Sequence, residues 1–155
     1  MGLFFKKKDN SVIEEVIDFL ENDLFVSKIA YGRNEACVED KLVKQLKDKF
    51  GEDYVKSQRR IGDNFKMKCD VDVFLGKCGI ELKLASSLES KADEFHRAIG
   101  QVACYVHEHY KESNQKLILL VVGDGEMSDK IDELKTIVES ISRVRFVYKL
   151  ATNKK

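Results

Sequence analysis

The stretch from Asp70 to Lys83, DVDVFLGKCGIELK, places several ionised side chains on two predicted strands. If Gly76-Lys77 forms the turn between them, Asp72 is paired with Glu81 and Asp70 with Lys83. Like charges directly opposed at about 5 Å between Cβ atoms destabilise a hairpin unless they are neutralised. Mg²⁺ neutralises one or two carboxylates and keeps water and phosphate oxygens as its other ligands. The pattern therefore indicates a Mg²⁺ or Mn²⁺ site at Asp72 and Glu81, with Lys83 beside it.

The same charges are also compatible with a solvated face of an edge hairpin, in which Asp70 simply pairs with Lys83. The turn decides between the two interpretations. A four-residue loop leaves Asp72, Glu81 and Lys83 on one face, whereas a three-residue loop separates Asp72 from Glu81. The sequence therefore leaves open whether Asp70 or Asp72 is the metal carboxylate.

Amphipathic helices are predicted where apolar residues recur every three or four positions. Ser11 and Glu14 form a capping box at the start of the first helix. Asn34 caps the second helix, and Gly51 ends it. The predicted helices cover about 12–25, 35–50, 88–110 and 128–142.

Strands are predicted over 54–61 and 65–75, with a return strand from 80 to 85. The run KLILLVV over 116–122 is apolar throughout most of its length, which is typical of a strand covered on both faces, and we expect it at the centre of the sheet. A last strand follows over 144–150. The order α-α-β-β-β-α-β-α-β predicts an α/β fold with a mixed β-sheet flanked by helices.

Composition bounds the class of protein. A chain of 155 residues with 43% hydrophobic content predicts one domain, over 11–155, after a flexible basic tail at 1–10. No apolar run approaches the roughly 20 residues of a membrane span, so a cytoplasmic protein without membrane contact is expected. The four cysteines form no C-x-x-C pair and are expected as free thiols. With 27 basic and 27 acidic residues, affinity for an anionic partner must come from local clusters.

Asp72, followed after eight residues by Glu81-Leu82-Lys83, resembles the D-x(n)-E-x-K core of the PD-(D/E)XK nuclease superfamily. The resemblance extends over about 34–122, where the predicted order of helix, three strands, helix and strand is that of the family core. The proline that many members carry before the aspartate is absent here.

Two helical motifs extend the resemblance. Glu39 corresponds to a glutamate that such enzymes carry on the helix before the sheet, and Glu35 is an alternative one turn earlier. The segment from Glu39 to Leu42 resembles the opening helix of archaeal Holliday-junction resolvases. Gln101 and Tyr105 resemble the Q-x-x-x-Y motif of RecB-type members and lie one turn apart on one helix face.

The resemblance implies a restriction-endonuclease-like fold and a metal-dependent nuclease, endo- or exonucleolytic, that hydrolyses phosphodiester bonds, with DNA as the expected substrate. Asp72, Glu81 and the main-chain carbonyl of Leu82 would hold Mg²⁺ or Mn²⁺. Glu39 would bind this ion through water or hold a second one. A Holliday-junction resolvase would in addition be a symmetric homodimer.

The remaining motif residues would act on water, phosphate or base. Lys83 would orient and help to deprotonate the attacking water, and Gln101 would hydrogen-bond that water or the phosphate. Tyr105 would stack on a base or pack in the core. A non-catalytic nucleic-acid-binding or protein-assembly module with the same fold is the alternative function. Basic residues that could contact the phosphodiester backbone are Lys56, Arg59, Arg60, Lys66, Lys68, Lys91 and Arg97.

Overall fold

The computed structural model describes residues 9–61, 65–73 and 76–153, and it describes side chains for residues 13–58 and 77–153. A single mixed sheet carries helices on both faces. The strands are β1 Val55–Ile61, β2 Phe65–Val73, β3 Gly76–Leu84, β4 Gln115–Gly123 and β5 Val144–Leu150. The helices are α1 Asp9–Asp18, α2 Lys28–Arg33, α3 Glu35–Phe50, α4 Ala85–Ser90, α5 Ala92–His109 and α6 Asp129–Glu139, with a π-helical turn Phe19–Asp23 and a 3-10 turn Glu52–Tyr54.

The strands lie side by side in chain order, from β1 at one edge to β5 at the other. β1, β2 and β3 are antiparallel, whereas β3, β4 and β5 are parallel. The middle strand is therefore β3, and the prediction that β4 occupies the centre is wrong. The predicted coverage of β4 on both faces is confirmed, since every residue from Leu117 to Val122 is 0% exposed.

Side-chain alternation sorts β3 and β4 between two cores. The even-numbered residues, such as Ile80 and Leu82, pack with α1 and α3. The odd-numbered residues of β4, such as Leu119, pack with α4, α5 and α6. On β3 the odd positions include Glu81 and Lys83, so both of these charged residues lie on the α5 side of the sheet.

The mixed α/β class is confirmed, as are several element boundaries. Asn34 Oδ1 accepts a hydrogen bond from Cys37 N at 2.8 Å, and α3 ends at Gly51, whose φ of 103° favours glycine. The last strand spans Val144–Leu150 as predicted, and no helix in the described ranges has the length and apolar character needed to cross a bilayer.

Other boundaries differ from the prediction. Ser11 lies inside α1, which already includes Asp9, so it is not the N-cap, and after Asp18 the chain continues as the π-helical turn. Ser27 caps α2, a short helix that apolar periodicity did not indicate. The long helix predicted over 88–110 is two helices, separated at Lys91.

The register of the central hairpin also differs. Val73 pairs with Gly76, so Gly76 and Lys77 belong to β3 and are not the turn. Asp72 consequently pairs with Lys77, and the predicted pairing of Asp72 with Glu81 is wrong. The reason lies in β4, because the main-chain N–H of Lys77 donates to the carbonyl of Asn114 at 3.1 Å and the parallel ladder already begins at this residue.

Gly79 is required in β3 by a neighbouring ring. A Cβ atom at this position would lie 2.5 Å from both Cζ and Oη of Tyr110, which is 0% exposed. We therefore expect Gly79→Ala to lower the free energy of unfolding by about 1–3 kcal/mol, measured by urea denaturation.

Gly100→Ala is the matched control. Gly100 lies in α5, and a Cβ atom there would meet nothing within 4 Å. This substitution should raise the free energy of unfolding by about 0.5–1 kcal/mol because it removes backbone entropy from the unfolded chain. Equal effects of the two substitutions would contradict the packing of Tyr110 against Gly79.

Candidate active site

A buried ion pair lies on the middle strand. Glu81 is 1% exposed and Lys83 is 7% exposed, and Lys83 Nζ is 3.6 Å from Glu81 Oε2. Two residues apart on β3, the side chains share the face covered by α5. Burial of a charge is costly unless other polar groups compensate it. The pair therefore requires polar neighbours on α5.

Glu94 is one of these neighbours, and the sequence analysis did not identify it. Lys83 Nζ lies 4.0 Å from Glu94 Oε2, and Arg97 Nη1 donates to Glu94 Oε1 at 3.4 Å. Charges thus alternate from the buried carboxylate of Glu81 to the exposed guanidinium of Arg97. The available signal was the spacing: Glu94 lies three residues before Arg97 and seven before Gln101, on one helix face.

Gln101 and Tyr105 continue the polar face of α5 toward the sheet. Gln101 Oε1 is buried and accepts no hydrogen bond from the described residues. Tyr105 is 3% exposed, which favours packing over the stacking of a base. Burial, together with the negative charges of Glu81 and then Cys104, raises the pKa of Tyr105 to about 12. The phenol therefore stays protonated at neutral pH and lies within electrostatic range of Glu81.

Glu39 is positioned by α3, which packs on the opposite face of the sheet from α5. It is 8% exposed, whereas Glu35 is half-buried, so Glu39 is the more buried of the two candidate glutamates. Its Oε2 accepts a hydrogen bond from Nε2 of Gln58 on β1. Glu39 and Gln58 border a groove of about 420 Å³, which Lys44 and Lys47 also line.

Gln58 has a left-handed backbone in the middle of a strand, with φ 52°. Its neighbours Ser57 and Arg59 remain paired with β2. A left-handed conformation costs a residue other than glycine about 1–2 kcal/mol, and such residues cluster at functional sites. Nothing in the sequence marked Gln58, because the strand YVKSQRRI contains no glycine or asparagine at this point.

The β2 carboxylates are located by the backbone register. Asp70 pairs with Gly79, two residues before Glu81, whereas Asp72 pairs with Lys77, four residues before Glu81. The backbone of Asp70 is therefore nearer to Glu81 than that of Asp72. Six predicted side chains lie outside the described ones, namely those of Arg59, Arg60, Lys66, Lys68, Asp70 and Asp72.

Three of the predicted phosphate-binding residues are described on the surface. Lys56 is exposed on β1 and pairs with Asp70 across the ladder. Lys91, between α4 and α5, and Arg97 are also exposed. Their ammonium and guanidinium groups are accessible to an anionic partner, as phosphate contacts require.

The donor atoms suit a hard cation. Glu81 supplies a buried carboxylate, and Gln101 Oε1 is a buried amide oxygen on the helix above it. The side chain of Leu82 is 0% exposed and faces the opposite core, so only its main-chain carbonyl could serve as a ligand. Among residues 13–58 and 77–153, no three His, Cys, Asp or Glu side chains are grouped to hold a metal. The predicted cluster includes an aspartate of β2, and it stays a prediction.

No protein-family model and no curated protein matches this chain. Any assignment of function therefore depends on the geometry of these side chains. The part of that geometry described in full is the set formed by Glu81, Lys83, Glu94, Gln101 and Tyr105.

The raised pKa of Tyr105 predicts a pH dependence of stability. In the unfolded chain the Tyr105 phenol loses its proton near pH 10, whereas in the folded protein its pKa is about 12. The stabilisation is complete below about pH 10 and is lost as the pH rises toward 12. Urea denaturation should show a steeper fall of unfolding free energy over this window for wild type than for Tyr105→Phe. Parallel curves would contradict the assignment.

The left-handed backbone of Gln58 predicts an unusual order of stability. Gln58→Ala and Gln58→Gly both remove the amide that bonds Glu39, but only glycine relieves the backbone strain. We expect the Gly variant to be more stable than the Ala variant by about 1 kcal/mol in urea denaturation.

Ser57 provides the control, because it lies next to Gln58 without a positive φ and is paired with Cys69. There Ser57→Gly should be less stable than Ser57→Ala, as at an ordinary strand position. The same order of Gly and Ala at both positions would show that Gln58 carries no strain.

Proposed function

We propose that this protein is a metal-dependent nuclease with a restriction-endonuclease-like fold, hydrolysing phosphodiester bonds, with DNA as its substrate. The observation that supports this most is the buried pair of Glu81 and Lys83 on the middle strand, 3.6 Å apart. Burying an ion pair is costly at this position, where β3 is paired with β4 and helices lie over both faces of the sheet. Catalytic chemistry gives a reason for its presence that packing does not.

In this proposal Glu81, one β2 aspartate and the main-chain carbonyl of Leu82 hold Mg²⁺ or Mn²⁺. The register favours Asp70 over Asp72, because Asp70 pairs with the residue two positions before Glu81. When bound, such an ion lowers the pKa of a coordinated water and neutralises charge on the transferring phosphoryl group. Glu39 belongs to α3 on the opposite face of the sheet, so in this proposal it would hold a second ion rather than share the one at Glu81.

The other candidate residues would orient the attacking water, balance charge or contact the phosphodiester backbone. Lys83 holds a positive charge beside Glu81, where it can orient the attacking water and stabilise developing negative charge. Gln101 Oε1, with no donor among the described residues, can accept a hydrogen bond from that water. Tyr105 stays protonated and keeps bulk water from Glu81 by its burial. Lys56, Lys91 and Arg97 are available for phosphate contacts.

A non-catalytic binding or assembly module is the second candidate. The Lys83 ammonium is shared between the carboxylates of Glu81 and Glu94, which is also expected of an ion-pair network that only holds α5 to the sheet. The balance of 27 basic and 27 acidic residues favours a protein partner over a polyanion.

Incubation with plasmid, linear single-stranded DNA and a four-way junction, with Mg²⁺, Mn²⁺ or EDTA, separates the two candidates. We expect metal-dependent cleavage, reduced at least about 100-fold by Glu81→Gln and by Asp70→Asn, because each removes a charge that acts in the transition state. Asp72→Asn should have a smaller effect, because its register position is farther from Glu81.

Glu108→Gln is the control, since it removes one negative charge from an exposed position of the same helix α5. It should cleave like wild type. Intact DNA with wild-type protein under all three conditions would favour the module, and a larger loss for Asp72→Asn than for Asp70→Asn would overturn the choice of carboxylate.

A further inference from the structure

The Lys83 ammonium lies between two carboxylates that differ in their surroundings. It is 3.6 Å from Glu81, whose side chain is 2% exposed, and 4.0 Å from Glu94, whose side chain is 23% exposed. The Lys83 side chain itself is only 9% exposed. A buried ammonium needs an anionic partner, and both of these carboxylates lie within 4.0 Å of Lys83 Nζ.

A cation bound at Glu81 would change this balance. It would compete with Lys83 for the same carboxylate and would repel the ammonium, because both are positive. Without a second anion, the Lys83 ammonium would either stay paired with Glu81 and oppose binding of the cation, or be left buried without a negative charge beside it. Glu94 is placed to take over, since its distance to Lys83 Nζ is only 0.4 Å longer.

Glu94 has two favourable interactions besides its contact with Lys83. It is the third residue of α5, where the positive end of the helix dipole favours an anion, and Arg97 donates to its other oxygen at 3.4 Å. Its lysine-facing oxygen, Oε2, remains directed at Lys83 while Oε1 faces Arg97. This division of the two oxygens gives the carboxylate a fixed orientation.

Building on the proposed nuclease function, we propose that Glu94 is a positioning residue that receives the Lys83 ammonium when Glu81 binds a divalent cation. Glu94 thereby lowers the competition between Lys83 and the cation and keeps the ammonium near the reacting phosphate. A merely structural ion pair would stabilise the fold but would not couple Lys83 to cation binding.

The test is a double-mutant cycle on Mn²⁺ affinity, measured by titration calorimetry of the metal-free protein without nucleic acid. We expect Glu94→Gln to weaken Mn²⁺ binding about tenfold, because Lys83 then loses the Glu94 carboxylate as an alternative to Glu81. In a Lys83→Met background the same substitution should weaken binding less than about threefold, since only the direct loss of a distant negative charge remains. Glu94→Asp, which keeps the carboxylate, should lie closer to wild type than Glu94→Gln does.

Glu108→Gln serves as the charge-matched control on α5 and should leave Mn²⁺ affinity unchanged. Equal factors for Glu94→Gln in the two backgrounds would overturn the role of Glu94 while leaving the metal site and the nuclease proposal standing. Absence of Mn²⁺ binding by wild type would overturn both. Urea denaturation of each variant establishes that the proteins compared are folded.

Discussion

The arrangement of the site depends on the burial of two opposite charges on the middle strand of the sheet. At Glu81, β3 is paired with β4 and helices lie over both faces of the sheet, and the residue is only 1% exposed, so little water reaches it. Bringing a carboxylate and an ammonium into such a place costs more than their attraction returns unless further polar groups compensate them. The polar face of α5 supplies these groups, and this explains why that helix is not apolar where it crosses β3.

The same helix also completes a core, and its spacing allows both tasks. Ala98 and Val102 are 0% exposed and pack with β4 and α6. Glu94, Gln101 and Tyr105 occur at intervals of seven and four, which places them on a neighbouring stripe of the same side. Glu94, which contacts Lys83, and the core residues Ala98 and Val102 therefore lie close together on one side of α5.

The sequence predicted those helix ends and strands that are determined by interactions between residues close in the chain. Asn34 and Gly51 mark the two ends of α3, because an N-cap side chain and a glycine with positive φ each act on the helix end where they lie. The apolar run of β4 was equally readable, because burial on both faces leaves no polar position. The break between α4 and α5 at Lys91 was missed because apolar residues continue at helical spacing across it. The helix α2 was missed because it is too short to show an apolar repeat, and its main local signal is the Ser27 cap.

The sequence predicted which residues of β3 share a face at the candidate site, but not which residues of β2 lie opposite them. Glu81 and Lys83 were identified because a strand places alternate residues on one face whatever its partner. The residues of β2 that lie opposite them depend on the strand register. Gly76-Lys77 has the composition of a turn, but a hydrogen bond from the Lys77 N–H to the Asn114 carbonyl holds Lys77 in β3. Gly79 is required by a residue distant in sequence, since the Tyr110 ring occupies the space that a side chain at position 79 would need. Contacts made across the sheet place the backbone of Asp70, rather than that of Asp72, nearer to Glu81. The contacts of Glu94 and Gln58 are likewise made between elements, and the sequence did not indicate them.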